Sequence, residues 1–280
     1  MATHSGNGGS IGAGRRRLSI LVAVATAVAG LVVAGAPPVA VAQTAPVESA
    51  VDVEVFNTAE LRVALAGPAE TIRRADGESF VLGETLLIER DVKIEGVGTP
   101  DGSVIRLGDV RNARVVTIAG GSNVVIDGVT IAGGDTRDNG GGVYVAAGAT
   151  LRLQTATSRN TSAPDGAGIE NDGTRVVDTS TFPDNGPSKK GGGIRSQGDV
   201  SVVNSTFVGN TASQGGAIST PGSGKVVHST IVGNKSTSSS SAGIDRNGGM
   251  LEVFYSIIGD NERTNGSSAS DCSGTPDLIG

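Results

Sequence analysis

The stretch "SVVNSTFVGNTASQGGAIST", residues 201–220, decides the fold, because two short motifs within it recur along the chain at a nearly constant interval. The first motif is a glycine or alanine followed by an aliphatic residue, and its copies lie 24–26 residues apart, ending at Val143, Ile169, Ile194, Ile218 and Ile244. The second is "FVGN", whose copies lie 24–27 residues apart and end at Asn160, Asn185, Asn210, Asn234 and Asn261. Two tracks that stay in phase predict a repeat architecture.

Within each copy the hydrophobic pattern has a period of two residues. In "VVNSTF" the pattern predicts Val203, Ser205 and Phe207 on one face, with Asn204 and Thr206 on the other. The stretch "VVHSTI" repeats this alternation one copy later. Such alternation is typical of half-buried strands, and no amphipathic helix is evident between residues 104 and 261.

A coil that advances by one strand spacing per turn explains the repeat, because equivalent residues then stack about 4.8 Å apart in parallel sheets. The fold class predicted is all-β, a right-handed parallel β-helix (solenoid) of about eight coils. A short capping helix is expected at its N-terminal end, over "NTAELRVALAG", with Asn57 or Thr58 as the cap. Two interior stacks are predicted, one of Phe182, Phe207, Ile231 and Ile258 and one of Ser180, Ser205, Ser229 and Ser256.

The recurring asparagines and glycines are assigned structural roles. Each asparagine is expected at a turn, where it tolerates left-handed backbone, and its amide is expected to bond to the neighbouring coil. The predicted structural ladder consists of Asn160, Asn185, Asn210, Asn234 and Asn261. The paired glycines allow tight corners and close approach of adjacent coils.

The ends of the chain divide it into further segments. Residues 1–42 are predicted to be a secretory signal peptide, with Arg15, Arg16 and Arg17 before an apolar run and an exit at Ala40-Val41-Ala42. An uncleaved membrane anchor and a twin-arginine signal are the alternatives. We expect residues 43–52 to be a linker, 53–262 the β-helix, and 263–280 a tail that folds over the last coil or is a truncated cap. The predicted location is the cell surface or the extracellular space, with no membrane span after cleavage.

Charge and composition restrict the class of partner. The net charge is −6, and removing the signal peptide with its three arginines and no acid moves it to −9. An acidic chain is disfavoured for binding nucleic acid or anionic membrane surfaces. The single cysteine, Cys272, excludes an intramolecular disulfide framework, and the absence of tryptophan, with 2 tyrosines and 5 phenylalanines, favours a narrow repetitive core.

The repeat motifs carry a family resemblance. The segments Gly215-Gly216-Ala217-Ile218 and Phe207-Val208-Gly209-Asn210 resemble polymorphic outer membrane protein repeats. Residues 53–274, with "TAELRVAL" ahead of coils such as "NSTFVGNTASQGGAI", resemble bacterial choice-of-anchor Q domain proteins. The resemblance implies a right-handed, pectate-lyase-like parallel β-helix on an exported or surface protein. It supplies no catalytic residues and no cofactor.

Few residues suggest catalysis or metal binding. The residues after the glycine pairs form a predicted outward column of Tyr144, Glu170, Arg195, Ser219 and Asp245, in which Glu170 and Arg195 are either an acid–base pair or a surface ion pair. A second outward column holds Thr179, Asn204, His228 and Tyr255, with His228 as a possible general base or simply an exposed wall residue. Calcium, the one cofactor considered, would bind Asp165, Glu170 and Asp172, which otherwise form an acidic turn.

The sequence therefore favours a non-catalytic, exported β-helix, either an adhesin-like module or a surface structural one, with a cell-surface or carbohydrate partner. The alternative is a carbohydrate-active enzyme on the same scaffold, a polysaccharide lyase or a hydrolase. A lyase needs a Lys or Arg base beside bound calcium, and a hydrolase needs two or three facing carboxylates. An enzyme is expected to show at least three ionisable groups converging in a groove, and a binding module a flat or convex wall.

Overall fold

The computed structural model describes residues 51–74, 79–97, 102–264 and 271–273, together with the backbone of residues 277–278. All of them belong to one compact unit, Ser49–Gly280. The predicted signal peptide, and all of the predicted linker except its last two residues, lie outside the described residues.

The chain forms four parallel sheets, three of which run the length of a solenoid. Sheet A contains β1 (Asp52–Val55), β2 (Thr71–Arg74), β5 (Val92–Glu95), β8 (Asn123–Asp127), β11 (Thr150–Gln154), β14 (Thr174–Asp178), β18 (Val200–Val203), β22 (Gly224–Val227), β26 (Leu251–Phe254) and β30 (Asp277–Leu278). Sheet B contains β3 (Phe80–Leu82), β6 (Val104–Leu107), β9 (Thr130–Ala132), β12 (Thr157–Arg159), β15 (Thr181–Pro183), β19 (Thr206–Val208), β23 (Thr230–Val232) and β27 (Ile257–Gly259).

Sheet C contains β4 (Leu86–Ile88), β7 (Val116–Ile118), β10 (Val143–Val145), β13 (Ile169–Asn171), β17 (Ile194–Ser196), β21 (Ile218–Thr220), β25 (Ile244–Arg246) and β29 (Cys272–Ser273). A short sheet D adds β16 (Ser188–Lys190), β20 (Thr211–Gln214), β24 (Lys235–Ser236) and β28 (Glu262–Arg263). The chain passes from sheet C to A to B in each coil, and each strand pairs in parallel with its equivalent in the next coil. The protein is the predicted right-handed parallel β-helix, with about eight turns.

The predicted interior stack of large apolar side chains is present. Phe182 pairs in register with Phe207, and Ile231 and Ile258 follow in the next two coils. The two phenyl rings stack with centroids 4.6 Å apart and planes 3° from parallel. Phe182, Phe207 and Ile231 are fully buried. A core this narrow has room for one large side chain per coil at this position, which explains how the chain folds with so few aromatic residues.

The prediction that Val203 lies on the same face as Phe207 is wrong. Val202 is buried while Val203 points outward, so the alternation along β18 is opposite to the prediction. The phase changes at Asn204, which has left-handed backbone with φ 48°. Thr155, Thr179, His228 and Tyr255 occupy the same corner and share this conformation. A single left-handed residue between β-strands turns the chain, so a period of two cannot be carried across it.

The serines that follow these left-handed residues hold the corner. Ser205 Oγ donates to the carbonyl of Val203 at 2.7 Å and accepts from the backbone N–H of Ser180 at 3.2 Å. Ser180, Ser229 and Ser256 repeat the first contact, each with the carbonyl two residues earlier. The predicted serine stack is therefore also a hydrogen-bonded ladder that closes each turn and joins it to its neighbour.

The asparagine ladder includes four of the five predicted residues. Asn210 Oδ1 accepts from the backbone N–H and the Nδ2 of Asn185, both at 3.0 Å, and its own Nδ2 donates to Asn234 Oδ1 at 2.8 Å. Asn234 repeats these contacts with Asn261. Asn185, Asn210, Asn234 and Asn261 are all buried.

Asn160 lies outside the ladder, contrary to the prediction. Its side chain is exposed, and the next residue, Thr161, takes the ladder position by donating from Oγ1 to Asn185 Oδ1 at 2.6 Å. The left-handed backbone expected at the ladder asparagines also lies one residue earlier, at Asp184, Gly209, Gly233 and Asp260. The asparagine at these turns is therefore kept for its amide bonds and not for its backbone conformation.

The N-terminal helix α1 (Thr58–Ala66) forms as predicted and packs against β1, β2 and β3. Asn57 is the N-cap, with Oδ1 accepting from the backbone N–H of Glu60 at 3.0 Å, while Glu60 Oε2 accepts from the N–H of Phe56 at 2.8 Å. Leu61 and Ala64 are the buried residues of this helix. At the other end, β29 and β30 pair with β25 and β26, so sheets A and C continue into the segment predicted to be a tail.

We expect Asn210→Ala to lower the free energy of unfolding by about 4 kcal/mol, because it leaves several buried amide groups of the two adjacent coils without partners. Chemical denaturation measures the change. The matched control is Asn160→Gly, which removes an exposed asparagine at φ 52° and is expected to change stability by less than about 0.5 kcal/mol. Equal losses in the two variants would contradict the ladder as the source of stability.

Candidate functional site

The column predicted after the glycine pairs exists, but the chain covers it. Tyr144, Glu170, Arg195, Ser219 and Asp245 are neighbours in register along the outer face of sheet C. We call them the covered column. The turns ahead of β10, β13, β17 and β21 each contain a left-handed glycine, and a Cβ on one of these, Gly166, would lie 2.7 Å from the Cα of Glu170. Glu170 is 0% exposed, so the predicted surface ion pair is a buried one.

Arg195 lies between two acids in the covered column. Its Nη1 donates to Glu170 Oε1, and its Nε is 3.6 Å from Asp165 Oδ2. Burial raises the pKa of Glu170 to about 7, against the opposing effect of the Arg195 charge and hydrogen bond. Glu170 Oε2 and Asp165 Oδ1 are buried and have no hydrogen-bond partner among the described residues. Three ionisable groups therefore converge, but they are enclosed by the turns and bind one another.

Asp172, the third predicted calcium ligand, is engaged elsewhere. Tyr144 donates from its hydroxyl to Asp172 Oδ2 at 2.9 Å, and Gln197 Nε2 donates to Oδ1 at 2.7 Å. Arg114 lies over the Tyr144 ring at 4.8 Å from its centre. Across the described ranges, no three His, Cys, Asp or Glu side chains are grouped closely enough to hold a metal ion. The structure does not bring Asp165, Glu170 and Asp172 together as one ligand set.

His228 lies on the opposite side of the solenoid from the covered column. It is exposed at the corner between sheets A and B, where its ring stacks on Tyr255 with centroids 5.1 Å apart and planes 12° from parallel. No carboxylate in the described part of the chain hydrogen-bonds to its imidazole. Its neighbours therefore suit contact with a flat surface better than proton transfer.

The outer surface around His228 changes from polar to apolar along the solenoid. On sheet A the outward position nearest the corner is polar in four successive coils, at Glu95, Asp127, Gln154 and Asp178. In the next three coils the same position is apolar, at Val203, Val227 and Phe254. On sheet B four half-buried outward threonines, at Thr157, Thr181, Thr206 and Thr230, are followed by Ile257. We call the resulting surface the corner patch: Val203, Val227, Phe254, His228, Tyr255 and Ile257.

The corner patch is accessible, since Tyr255 is 71% and Ile257 66% exposed. An open groove of about 610 Å³ lies along sheet A from β14 to β26 and is lined in part by Val176, Lys225 and Met250. The sequence pattern placed His228 and Tyr255 in one outward column but did not reveal the apolar patch. An alignment of the copies that restarts the alternation after each corner residue would have revealed the change from Asp178 to Val203.

Searches of family models, curated proteins and solved structures found no match to this chain. The resemblance to choice-of-anchor Q domain proteins and to polymorphic outer membrane protein repeats therefore stays a prediction that rests on the repeat motifs. Among the described residues, no helix has the length and apolar composition needed to cross a lipid bilayer.

The raised pKa of Glu170 predicts a pH-dependent stability. The folded state holds a proton on this carboxyl more tightly than the unfolded chain does, so the stabilisation is complete below pH 4.5 and is lost as the pH rises through about 7. We expect Glu170→Gln to remove this loss, which amounts to about 3 kcal/mol across that window. Denaturation curves at half-unit pH steps compare wild type with the variant.

Glu84→Gln is the matched control, because Glu84 forms an ion pair with Arg62 at the surface, where its side chain is 76% exposed. This control is expected to keep the wild-type pH profile. Parallel profiles for wild type and Glu170→Gln would show that Glu170 titrates in the folded protein as it does in the unfolded chain.

Proposed function

We propose that the protein is exported and acts as a non-catalytic binding module, at the cell surface or outside the cell, that holds an uncharged glycan at the corner patch. The apolar run and small-residue exit in residues 1–42 support export. The resemblance of the repeat to choice-of-anchor Q domain proteins and polymorphic outer membrane protein repeats supports a surface role, and the β-helix supplies a rigid wall for binding.

The observation that carries the proposal is the change from polar to apolar residues along the outer columns. The four coils that end at Asp178 show that the fold accepts acids and amides at this position. The serine ladder runs from the coil of Asp178 through the next three coils, so the corner is built in the same way whether the outward residue is Asp178 or one of Val203, Val227 and Phe254. A contiguous exposed apolar surface is typical of an interaction site.

The chemistry of the corner patch favours an uncharged glycan. The patch contains no acid, Lys or Arg, and the chain carries a net charge of −6, so acidic polymers are repelled. Tyr255 offers a partly free ring and a hydroxyl, which suits a ligand with both apolar faces and hydroxyl groups. The patch also follows the solenoid axis over three coils about 4.8 Å apart, a direction that matches an extended polymer with short repeating units.

The enzyme alternative receives less support from the geometry. Glu170 and Arg195, the acid and base that the sequence suggests as a catalytic pair, are enclosed, with the Arg195 side chain only 11% exposed. A general acid or base must reach the bond that breaks. A lyase or hydrolase on this scaffold would require the covering turns to open.

We expect the mature protein to bind a neutral polysaccharide and Tyr255→Ala to weaken that binding at least tenfold, because the substitution removes the most exposed ring of the corner patch. The measurement is calorimetric titration and affinity electrophoresis against neutral and acidic soluble polysaccharides. Thr179→Ala is the matched control, since Thr179 occupies the same left-handed corner position three coils earlier, outside the patch.

The control is expected to bind like wild type. Binding that survives Tyr255→Ala, or binding restricted to acidic polymers, would contradict the assignment of the corner patch. Release of new reducing ends or of unsaturated products from any polymer would replace the binding-module proposal with the enzyme alternative.

Export has a separate test. Expression of the full chain in a bacterial host with an intact secretion system is expected to give a mature protein that begins at Gln43, measured by intact mass. A retained protein that begins at Met1 would contradict cleavage after Ala42.

A further inference from the structure

Inside the solenoid, two columns of side chains change from apolar to polar in the same coil. On sheet C the inward column contains Ile88, Ile118 and Val145, then Asn171, Ser196 and Thr220. On sheet A the inward column contains Val92, Val124 and Leu151, then the single polar residue Arg175, and is apolar again at Val200. Asn171 and Arg175 flank the same corner. We call Asn171, Arg175, Ser196 and Thr220 the polar interior.

Arg175 is a cation enclosed in this interior. It is 1% exposed and lies in register between Leu151 and Val200, both buried. Its Nε, Nη1 and Nη2 have no hydrogen-bond partner among the described residues. A guanidinium has five N–H donors, and burying them without acceptors and without a counter-charge is strongly unfavourable.

The protein groups nearest in sequence and register are not bonded to the Arg175 guanidinium, although Asn171 Oδ1 is buried and has no hydrogen-bond partner among the described residues. Asn171 Nδ2 donates to Ser196 Oγ at 2.8 Å, and Ser196 Oγ donates to the carbonyl of Gly198 at 2.8 Å. Thr220 Oγ1 donates to the carbonyl of Gly222 at 3.3 Å and accepts from its N–H at 3.0 Å. Glu170 attracts Arg175 through space; its Oε1 accepts from Arg195, and its Oε2 has no hydrogen-bond partner among the described residues.

We propose that the polar interior binds a small inorganic anion of halide size, held by the guanidinium of Arg175. An anion supplies both the missing acceptor and the missing counter-charge, whereas water supplies only the acceptor. The neighbours of Arg175 in its column, Leu151 and Val200, are both buried, so an ion at this place would lie in a closely packed interior and would have to be small. Burial lowers the pKa of Arg175 to about 9, and a bound anion opposes that shift.

The direct test is diffraction from wild-type crystals grown in sodium bromide, with data collected at the bromine absorption edge. We expect an anomalous peak within hydrogen-bond distance of the Arg175 guanidinium. Ordered water bonded to both Arg175 and Asn171, with no bromine peak there, would overturn the proposal. This experiment needs no variant and so does not depend on any variant folding.

The solution test compares melting temperatures in sodium chloride and sodium gluconate at equal ionic strength. Wild type is expected to melt about 5 °C higher in chloride at a hundredfold excess over the dissociation constant, because a ligand of the folded state stabilises it. Arg175→Leu is expected to lose this difference while remaining folded, since Leu151 and Leu251 occupy the same inward column.

Arg152→Leu is the matched control, because Arg152 lies on the adjacent strand β11 with its side chain exposed. It is expected to keep the wild-type response to chloride. A chloride response of the same size in Arg175→Leu as in wild type would assign the effect to the surface and refute the interior site.

Discussion

Each coil of this protein lies in register on the next, so every side chain stacks on its own equivalent about one strand spacing away. This constraint determines which residues the interior can use. An asparagine is well suited, because its amide both donates and accepts and can therefore bond to an identical amide above and below. The serine corners and the stacked rings of Phe182 and Phe207 follow the same logic with a hydroxyl and an aromatic face.

The amide ladder has a direction, and each of its ends has a different partner. At the first end, Thr161 has a hydroxyl that donates to Asn185 Oδ1. At the last end, Asp271 Oδ1 accepts from the backbone N–H of Asn261 at 3.2 Å and from its Nδ2 at 2.9 Å. A donor begins the series and a carboxylate that only accepts ends it, so the inner amides have donors and acceptors paired. Buried networks contribute to stability when they are complete in this way.

The fold could be predicted from the sequence because every coil has nearly the same length and its strands alternate inward and outward residues. The prediction was wrong where a single residue interrupts that alternation. Asn204 resets the alternation, so Val203 was placed on the wrong face. Thr161 replaces an asparagine one residue later than the motif suggests, so Asn160 was included wrongly. The burial of Glu170 depends on a turn that folds back over its own strand, and strand alternation alone contains no sign of it.

The corner patch and the polar interior both lie where residues depart from the repeat. Exterior positions are free of the stacking constraint on shape, so an apolar run at Val203, Val227 and Phe254 points to contact with something outside the chain. Interior positions are subject to the stacking constraint and are closed to solvent, so each polar side chain there needs a hydrogen-bond partner. That partner must come from within the coil or from a ligand that the coil encloses.

In-register stacking disfavours repeated charged residues, since identical charges would lie side by side along a column and repel each other. The protein places opposite signs at several adjacent charged positions, as in Glu170 beside Arg195, Lys225 beside Glu252, and Lys235 beside Glu262, whereas Glu252 and Asp277 are two acids in register. Where Glu95 and Asp127 are neighbours, Lys93 bridges them at 3.0 and 3.2 Å. Arg175 differs from these positions, because its column offers only Leu151 and Val200 as neighbours. Arg175 therefore has no opposite charge beside it in its own column, and the anion proposed above would supply one from outside the chain.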